Sequence, residues 1–204
     1  MPIYRQDGKE LHAPRLPRLG IVRLGIKVEG TRKDGSTYTY PKATDYFVLD
    51  DAPGLKEIFG DKPTAIGPII LPSEDEETIS EYYRYYTNTW GLTCIGDGQH
   101  ANRLVDLTAL EQSGEQKPAS HQSKKGRVER QQVSCPCDLL DKKLCNDTLY
   151  LRFAMPTIPG FGVWQIGTGS SNSIKNLMGC IRLIKSLTPS HQVTGIPLVL
   201  KLAP

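Results

Sequence analysis

The stretch VSCPCDLLDKKLCNDTLYLRFAMPTIPGFGVW, from Val133 to Trp164, contains the features from which the fold is predicted. It opens with three cysteines inside eleven residues. The apolar run over residues 149–155 then predicts a buried strand, and a Pro/Gly-rich turn leads to a second strand over residues 162–168. A cluster of thiols that leads into two strands favours a small metal-binding substructure built onto a sheet.

A fourth cysteine belongs with these three. Cys94 lies 41 residues before Cys135, in the tight-turn sequence LTCIGDGQH. Zinc prefers four tetrahedral ligands, and thiolates hold it in closed structural sites. We therefore predict one zinc ion held by four ligands, which are Cys94, Cys135, Cys137 and Cys145. His100 and His121 are alternatives for the fourth position. Unpaired thiols in a core, or a disulfide formed after isolation, are the alternatives to zinc.

Length and composition set the class of protein. The 204 residues are 38% hydrophobic and 23% charged, which is ordinary for a globular protein. The apolar runs are too short for a membrane helix, and the first fourteen residues lack the apolar segment of a signal peptide. Five cysteines without an export signal indicate a reducing compartment, so we expect a cytoplasmic location. The net charge of +3 does not by itself indicate nucleic-acid binding.

The chain after this stretch is predicted to form a helix and a strand. Apolar residues at helical spacing predict a helix over residues 172–187, capped by Ser170 or Ser171. Cys180 lies within it and is expected to be a buried thiol. The apolar residues 195–202 predict a final strand.

The chain before it begins with strand signals. Residues 20–30 alternate between apolar and polar, and the Asp34-Gly35 pair predicts a hairpin turn into a return strand over residues 37–40. Further along, Ser73 and Glu76 match a capping box, which predicts a helix from Glu74 to Tyr86. The fold class expected is therefore α+β, with a mixed or antiparallel sheet, two main helices and a small Cys-rich zinc-binding substructure.

The domain organisation predicted is a single domain over residues 1–204. A flexible N-terminal arm is expected over residues 1–17. The polar composition of residues 111–132 predicts a mobile basic loop, which leads into the zinc-binding segment at residues 133–147.

Basic and aromatic side chains are candidates for contact with nucleic acid or a protein partner. The predicted contact residues are Arg84, Tyr85, Arg103, Lys124, Lys125, Arg127, Arg130, Lys142 and Lys143. The sequence has no nucleophile elbow, no H-E-x-x-H helix and no phosphate-binding P-loop, so we predict no catalytic residues. Asp97 and His100, close to the thiols, would carry a metal-dependent hydrolase activity if there were one.

A set of motifs in this order resembles a phage protein family. The motifs are L-x-C-x-G-D-G (Leu92 to Gly98), A-x-R (Ala101 to Arg103), C-P-C-D (Cys135 to Asp138), Cys145, LRFAMP, GVWQIGTGSSNSI and GIPLVLKL. The family is that of the recombination directionality factors that partner large serine integrases, and the resemblance covers roughly Trp90 to Leu202.

The resemblance implies a non-enzymatic accessory protein that binds its integrase on DNA and switches recombination from integration to excision. It also implies that the four cysteines form the family's metal site. The expected partners are a large serine integrase and, through that complex, DNA, with no membrane and no small-molecule substrate. The alternatives are a zinc-containing single-stranded nucleic-acid-binding protein of phage replication, which would stack bases on Tyr85, Trp90 or Trp164, and a metal-dependent hydrolase.

Overall fold

A computed structural model describes residues 16–50, 54–75, 77–123 and 127–202. Within these residues the chain forms ten strands and four helices. In chain order they are β1 (Arg18–Thr31), β2 (Thr37–Leu49), α1 (Leu55–Phe59), β3 (Ala65–Ile69), β4 (Ile79–Thr87), β5 (Gly91–Gly96), β6 (His100–Asp106), α2 (Leu107–Ser113), β7 (Val128–Ser134), α3 (Asp138–Asp141), β8 (Asn146–Phe153), β9 (Val163–Thr168), α4 (Ser171–Leu187) and β10 (Leu198–Lys201).

Eight of the strands form one sheet, in the order β2-β1-β9-β8-β4-β5-β6-β7. Strands β1 and β9 are parallel, whereas β1–β2, β8–β4, β4–β5, β5–β6 and β6–β7 are antiparallel. The remaining strands, β10 and β3, form a second, two-stranded sheet. The prediction of an α+β fold with a mixed sheet is confirmed. None of the described helices is long and apolar enough to cross a membrane.

The predicted helix from Glu74 to Tyr86 is wrong, because this segment contains strand β4. The capping-box serine, Ser73, instead hydrogen-bonds Asp75, whose carboxylate accepts the backbone N–H of Thr78 in a turn. Tyrosine, isoleucine and threonine favour strands, and β4 has a partner strand on each side. Tertiary pairing therefore outweighs a local helix signal, and α4, with 17 residues, is the single long helix of the described chain.

The chain divides into two compact units, which we describe separately. The first comprises residues 1–72, 152–166 and 194–204. Its core side chains are fully or almost fully buried, and they include Val22, Phe47, Leu55, Ile66, Phe153 and Trp164. Gly20 lies against the indole of Trp164, where an added Cβ would come within 2.3 Å of a ring carbon. Strand β1 therefore needs glycine at this position in order to pass over the indole.

The second unit comprises residues 73–151 and 167–193. Its buried side chains include Thr93, Val105, Leu149, Leu151, Ile174, Ile181 and Val193. Ser170 accepts the backbone N–H of Ser173 and caps α4, as predicted. Cys180 is exposed on α4, so the expectation of a buried thiol there is wrong.

The segment predicted to be a mobile loop, residues 111–132, contains regular secondary structure at both of its ends. Its first residues belong to α2 and its last to β7. Between them, Pro118 forms a bridge with Val105, and the N–H of the buried Ala119 donates to the carbonyl of Leu104 at 2.8 Å. The pairing of Pro118 and Ala119 with β6 could not be predicted from polar composition alone. The predicted arm lies outside the described residues up to residue 15, and the single-domain organisation stays a prediction.

Replacing Asp106 with alanine is expected to destabilise the chain by about 1 kcal/mol, because this side chain caps α2. Its carboxylate accepts the N–H groups of Thr108 and Ala109 and the hydroxyl of Ser123. The Ser123 hydrogen bond is the largest cause that holds the pKa of Asp106 below its usual value. A lowered pKa stabilises the fold above the unfolded-state pKa of about 4, and this stabilisation is lost as the pH falls below it.

Urea unfolding at pH 7 and at pH 3 measures this effect. The difference between parent and variant is expected to shrink at pH 3. The control is Glu111→Ala, which removes an exposed carboxylate of α2 that pairs with Arg127 and is expected to have a smaller effect. Equal stability of the parent and Asp106→Ala at pH 7 would contradict the capping role.

Candidate metal centre

The four predicted zinc ligands lie on elements of the second unit. Cys94 is in strand β5, and Cys135 directly follows β7. Cys137 is the residue that precedes α3, and Cys145 directly precedes β8. All four are free thiols. Cys94 and Cys135 are buried, whereas Cys137 and Cys145 are half-buried.

A tight turn between β5 and β6 brings the two sequence segments together. The carboxylate of Asp97 accepts the backbone N–H groups of Gln99 and His100, each at 2.7 Å. The carbonyl of Gln99 then accepts the N–H of Cys135 at 3.0 Å. The turn therefore fixes the start of the cysteine segment beside the strand that carries Cys94. These contacts give Asp97 a structural role.

The strand register and one close approach place Cys94 and Cys135 beside each other on the sheet. Cys94 lies opposite Arg103 of β6, and Gly96 lies opposite Ala101. A Cβ added at Gly96 would lie 2.8 Å from the Sγ atom of Cys135, so glycine leaves the space that this thiol occupies. Cys94, Ala101, Val133 and Cys135 form a buried cluster against which Tyr83 and Tyr85 pack. We call Cys94, Cys135, Cys137 and Cys145 the thiol cluster.

The four thiols influence one another electrostatically. The pKa of Cys145 is raised to about 11, first by burial and then by the charges on Cys137, Cys94 and Cys135. Burial also raises the pKa of Cys94, against the influence of Arg103. Each thiolate is unfavourable near the others, so the cluster needs a positive charge in order to ionise.

Arg103 supplies a positive charge from inside the protein. Its side chain is 6% exposed, and its guanidinium donates to the Sγ atom of Cys137 and to the carbonyl of Gln116, each at 2.9 Å. Its Nε–H has no hydrogen-bond partner within the part of the chain that the structure describes. A buried guanidinium requires a compensating anion. Thiolates of the cluster are placed to provide it.

The chemistry of the donor set fits zinc. Four thiols are the ligand set of a closed structural site. The described residues nevertheless contain no group of three or more His, Cys, Asp or Glu side chains arranged to hold a metal ion. The structure places the four predicted ligands on or beside β5, β7, α3 and β8 of the second unit, and their role as a zinc site stays a prediction.

Three predicted contact residues are engaged inside the protein. Arg84 donates to the hydroxyl of Tyr150 at 2.7 Å, and its guanidinium carbon lies 4.4 Å from the centre of that ring. Tyr85 packs against the buried cluster that contains Cys94 and Cys135. Arg103 is buried beside Cys137, which argues against its prediction as a surface contact. The alternation of residues along β6 indicates that Arg103 is buried, since it places Arg103 on the same face as Ala101.

The remaining predicted contact residues lie at the surface or outside the described residues. Arg127 pairs with Glu111, Arg130 donates to the carbonyl of Leu92 at 3.0 Å, and Lys142 pairs with Asp138 at 2.9 Å. Lys143 is exposed, with a left-handed backbone at φ 55°. Lys124 and Lys125 lie outside the described residues. Of the described members of this set, Arg127 and Lys142 are thus held in ion pairs within the chain.

Comparison with known proteins identifies the family. A family model described as "Gp3-like: Recombination directionality factor-like" matches residues 19–204, which is nearly the whole chain. No curated protein and no solved structure matches the chain. The match extends the likeness in the cysteine motifs to strands β1 and β2, and the chain belongs to the Gp3-like, recombination directionality factor-like family.

Proposed function

We propose that this chain is a non-enzymatic accessory protein that binds a large serine integrase on DNA and switches recombination from integration to excision. The observation that supports this proposal is the family match over residues 19–204. In this proposal the integrase supplies the chemistry and most of the affinity for DNA. The protein acts in the cytoplasm, where phage or prophage DNA recombines.

The switch requires only a difference in binding. A protein that binds the excision arrangement of the integrase more tightly than the integration arrangement shifts the population towards excision. To reverse a ratio of 1:99 into 99:1, the difference in affinity must be about 10⁴-fold. This chain therefore needs a large, well-ordered surface that contacts the integrase. It needs no catalytic group.

We also propose that Cys94, Cys135, Cys137 and Cys145 hold one structural zinc ion. When bound, zinc cross-links the β5–β6 turn to the segment between β7 and β8. Arg103, which already donates to the Sγ atom of Cys137, would balance the negative charge of four thiolates. The metal serves the shape of the protein in this proposal and leaves no open position for a substrate.

The structure gives weaker support to single-strand nucleic-acid binding. Trp164 is 2% exposed, so its ring is not free to stack on a base, and the half-buried Tyr85 packs against the cluster that contains Cys94 and Cys135. The indole N–H of Trp90 donates to the carbonyl of Ser120 at 2.8 Å, which ties that side chain to the polar segment. A hydrolase is also less well supported, because the Asp97 carboxylate is used by the turn between β5 and β6.

An in vitro recombination assay tests the proposed function. The purified protein is added to its cognate large serine integrase with substrates for integration or for excision. We expect excision to rise by at least about tenfold and integration to fall, because coupling energies of 1–3 kcal/mol change equilibria by roughly 5–150-fold. The control is each reaction without the protein. Unchanged direction, together with salt-dependent binding of single strands, would favour the nucleic-acid-binding alternative.

A further inference from the structure

Strands β1 and β2 extend past the rest of their sheet as a two-stranded ribbon. Strand β1 pairs with β9 only over Arg18–Val22, whereas its pairing with β2 continues to the turn. Residues 23–46, all of which the structure describes, contain no buried side chain. We call residues 25–31 and 37–43 the hairpin arm. At about 3.3 Å per residue, the arm is ~23 Å long.

One face of the hairpin arm is apolar and aromatic. Ile26 lies opposite Lys42, Val28 opposite Tyr40, and Gly30 opposite Tyr38, so these six residues share a face. Ile26, Tyr38 and Tyr40 are each about 40% exposed. Isolated apolar side chains are common on protein surfaces, but a continuous face on a projecting ribbon marks an interaction surface.

The aromatic side chains of this face are held in place. The ring of Tyr38 lies over Gly30, where an added Cβ would come within 2.9 Å of the ring. The centres of the Tyr38 and Tyr40 rings are 5.8 Å apart. The guanidinium of Arg32 lies 5.6 Å from the Tyr38 ring centre. Side chains already ordered in the free protein lose less entropy when they bind.

The opposite face of the ribbon has a different composition. Its cross-strand pairs are Lys27 with Pro41, Glu29 with Thr39, and Thr31 with Thr37. This face therefore carries hydroxyl groups and charges of both signs. The apolar face, by contrast, carries no acidic side chain, and its charged neighbours are Lys42 and Arg32. Aromatic and aliphatic side chains are thus on one face of the ribbon, and its acidic side chain is on the other.

We propose that the apolar face of the hairpin arm docks on a protein surface that offers an apolar groove edged by carboxylates. The proposal rests on the proposed function, in which that protein is the large serine integrase. Tyrosine and arginine dominate the energetics of protein interfaces, and carboxylates complement Lys42 and Arg32. Nucleic acid fits this face less well, because its centre is aliphatic at Ile26 and Val28 and only two cations stand beside it.

Two pairs of variants of the full chain test the proposal, with binding to the purified integrase as the measurement. Tyr40→Ser and Lys42→Glu change the apolar face. Thr39→Ser and Lys27→Glu are the matched controls, since they change the opposite face of the same ribbon. We expect Tyr40→Ser to weaken binding by ~30-fold and Lys42→Glu by ~10-fold, as for residues at the centre of an interface. The controls are expected to stay within about twofold of the parent.

The outcomes separate this proposal from the proposed function. If the parent chain binds the integrase and both apolar-face variants bind equally well, the hairpin arm is not the docking surface, and the proposed function stands. If the apolar-face variants lose binding to DNA but keep binding to the integrase, the occupant is nucleic acid and the proposal is overturned. A parent chain that does not bind the integrase contradicts both. Thermal unfolding of all four variants shows whether each is folded.

Discussion

The variant Cys135→Ser is expected to lose its zinc and much of its stability. Cys135 is 8% exposed, and its thiol fills the space left by Gly96. Serine keeps the size of the side chain, but its hydroxyl is a poor ligand for zinc. Structural zinc contributes ~10–16 kcal/mol of apparent binding energy, which is comparable with the whole stability of a domain. A loss of even ~4 kcal/mol would lower the unfolding midpoint by ~8–16 °C.

Elemental analysis of zinc per chain, combined with thermal unfolding, measures both effects. The parent protein is expected to hold about one zinc ion and the variant almost none. The matched control is Cys180→Ser, which removes an exposed thiol of α4 and is expected to change neither quantity. A parent chain purified without chelator that contains no zinc would contradict the proposed metal site.

The second large effect is expected from Arg103→Met. This substitution replaces the buried guanidinium with an unbranched apolar side chain. A zinc ion with four thiolates carries about two net negative charges, and the N–H donors of Arg103 stabilise them. Their loss is expected to lower zinc affinity by ~10–100-fold, as is typical when groups that contact metal ligands are removed. Competition with a chromophoric chelator measures this affinity directly.

If the site holds no zinc, we expect Arg103→Met to leave the stability of the chain unchanged or to increase it. Replacing a buried charge with an apolar side chain is often neutral or stabilising when no opposite charge is left behind. An Arg103→Met variant that is as stable as the parent, with unchanged zinc content, would therefore contradict the charge-balancing role. The control is Arg130→Met, which removes an exposed guanidinium on the neighbouring strand β7 and is expected to leave zinc affinity unchanged.

The sequence predicted the elements whose signals are strong and local. The helix over residues 172–187 has a serine cap and a regular apolar face, and it is α4 of the structure. The Asp34-Gly35 turn joins β1 to β2, with Gly35 at φ 82°. The helix predicted from Glu74 to Tyr86 was wrong because the serine and carboxylates before β4 suit a turn as well as a helix N-terminus. Only pairing with β5 and β8 decides between the two.

The candidate site could be proposed from its residues, but its surroundings could not be predicted. The grouping of the cysteines led us to propose four thiol ligands, all of which lie in the second unit, and their binding of zinc stays a prediction. The role of Arg103 depends on strand register, which sets Cys94 opposite Arg103 and cannot be derived from spacing. The projection of the hairpin arm could not be predicted for a similar reason. Its strands were predicted, but the point at which β9 stops pairing with β1 is a property of the assembled sheet.

The parallel pairing of β1 with β9 also has a consequence for biosynthesis. Val163 pairs with Arg18, which precedes it by 145 residues. At ~5–20 residues per second, a ribosome needs ~7–29 s to make the chain between them. During that interval β1 has β2 on one side and an unsatisfied row of backbone groups on the other. Such an edge can recruit strands from neighbouring chains, so co-translational chaperones have a defined segment to protect, beginning at Arg18.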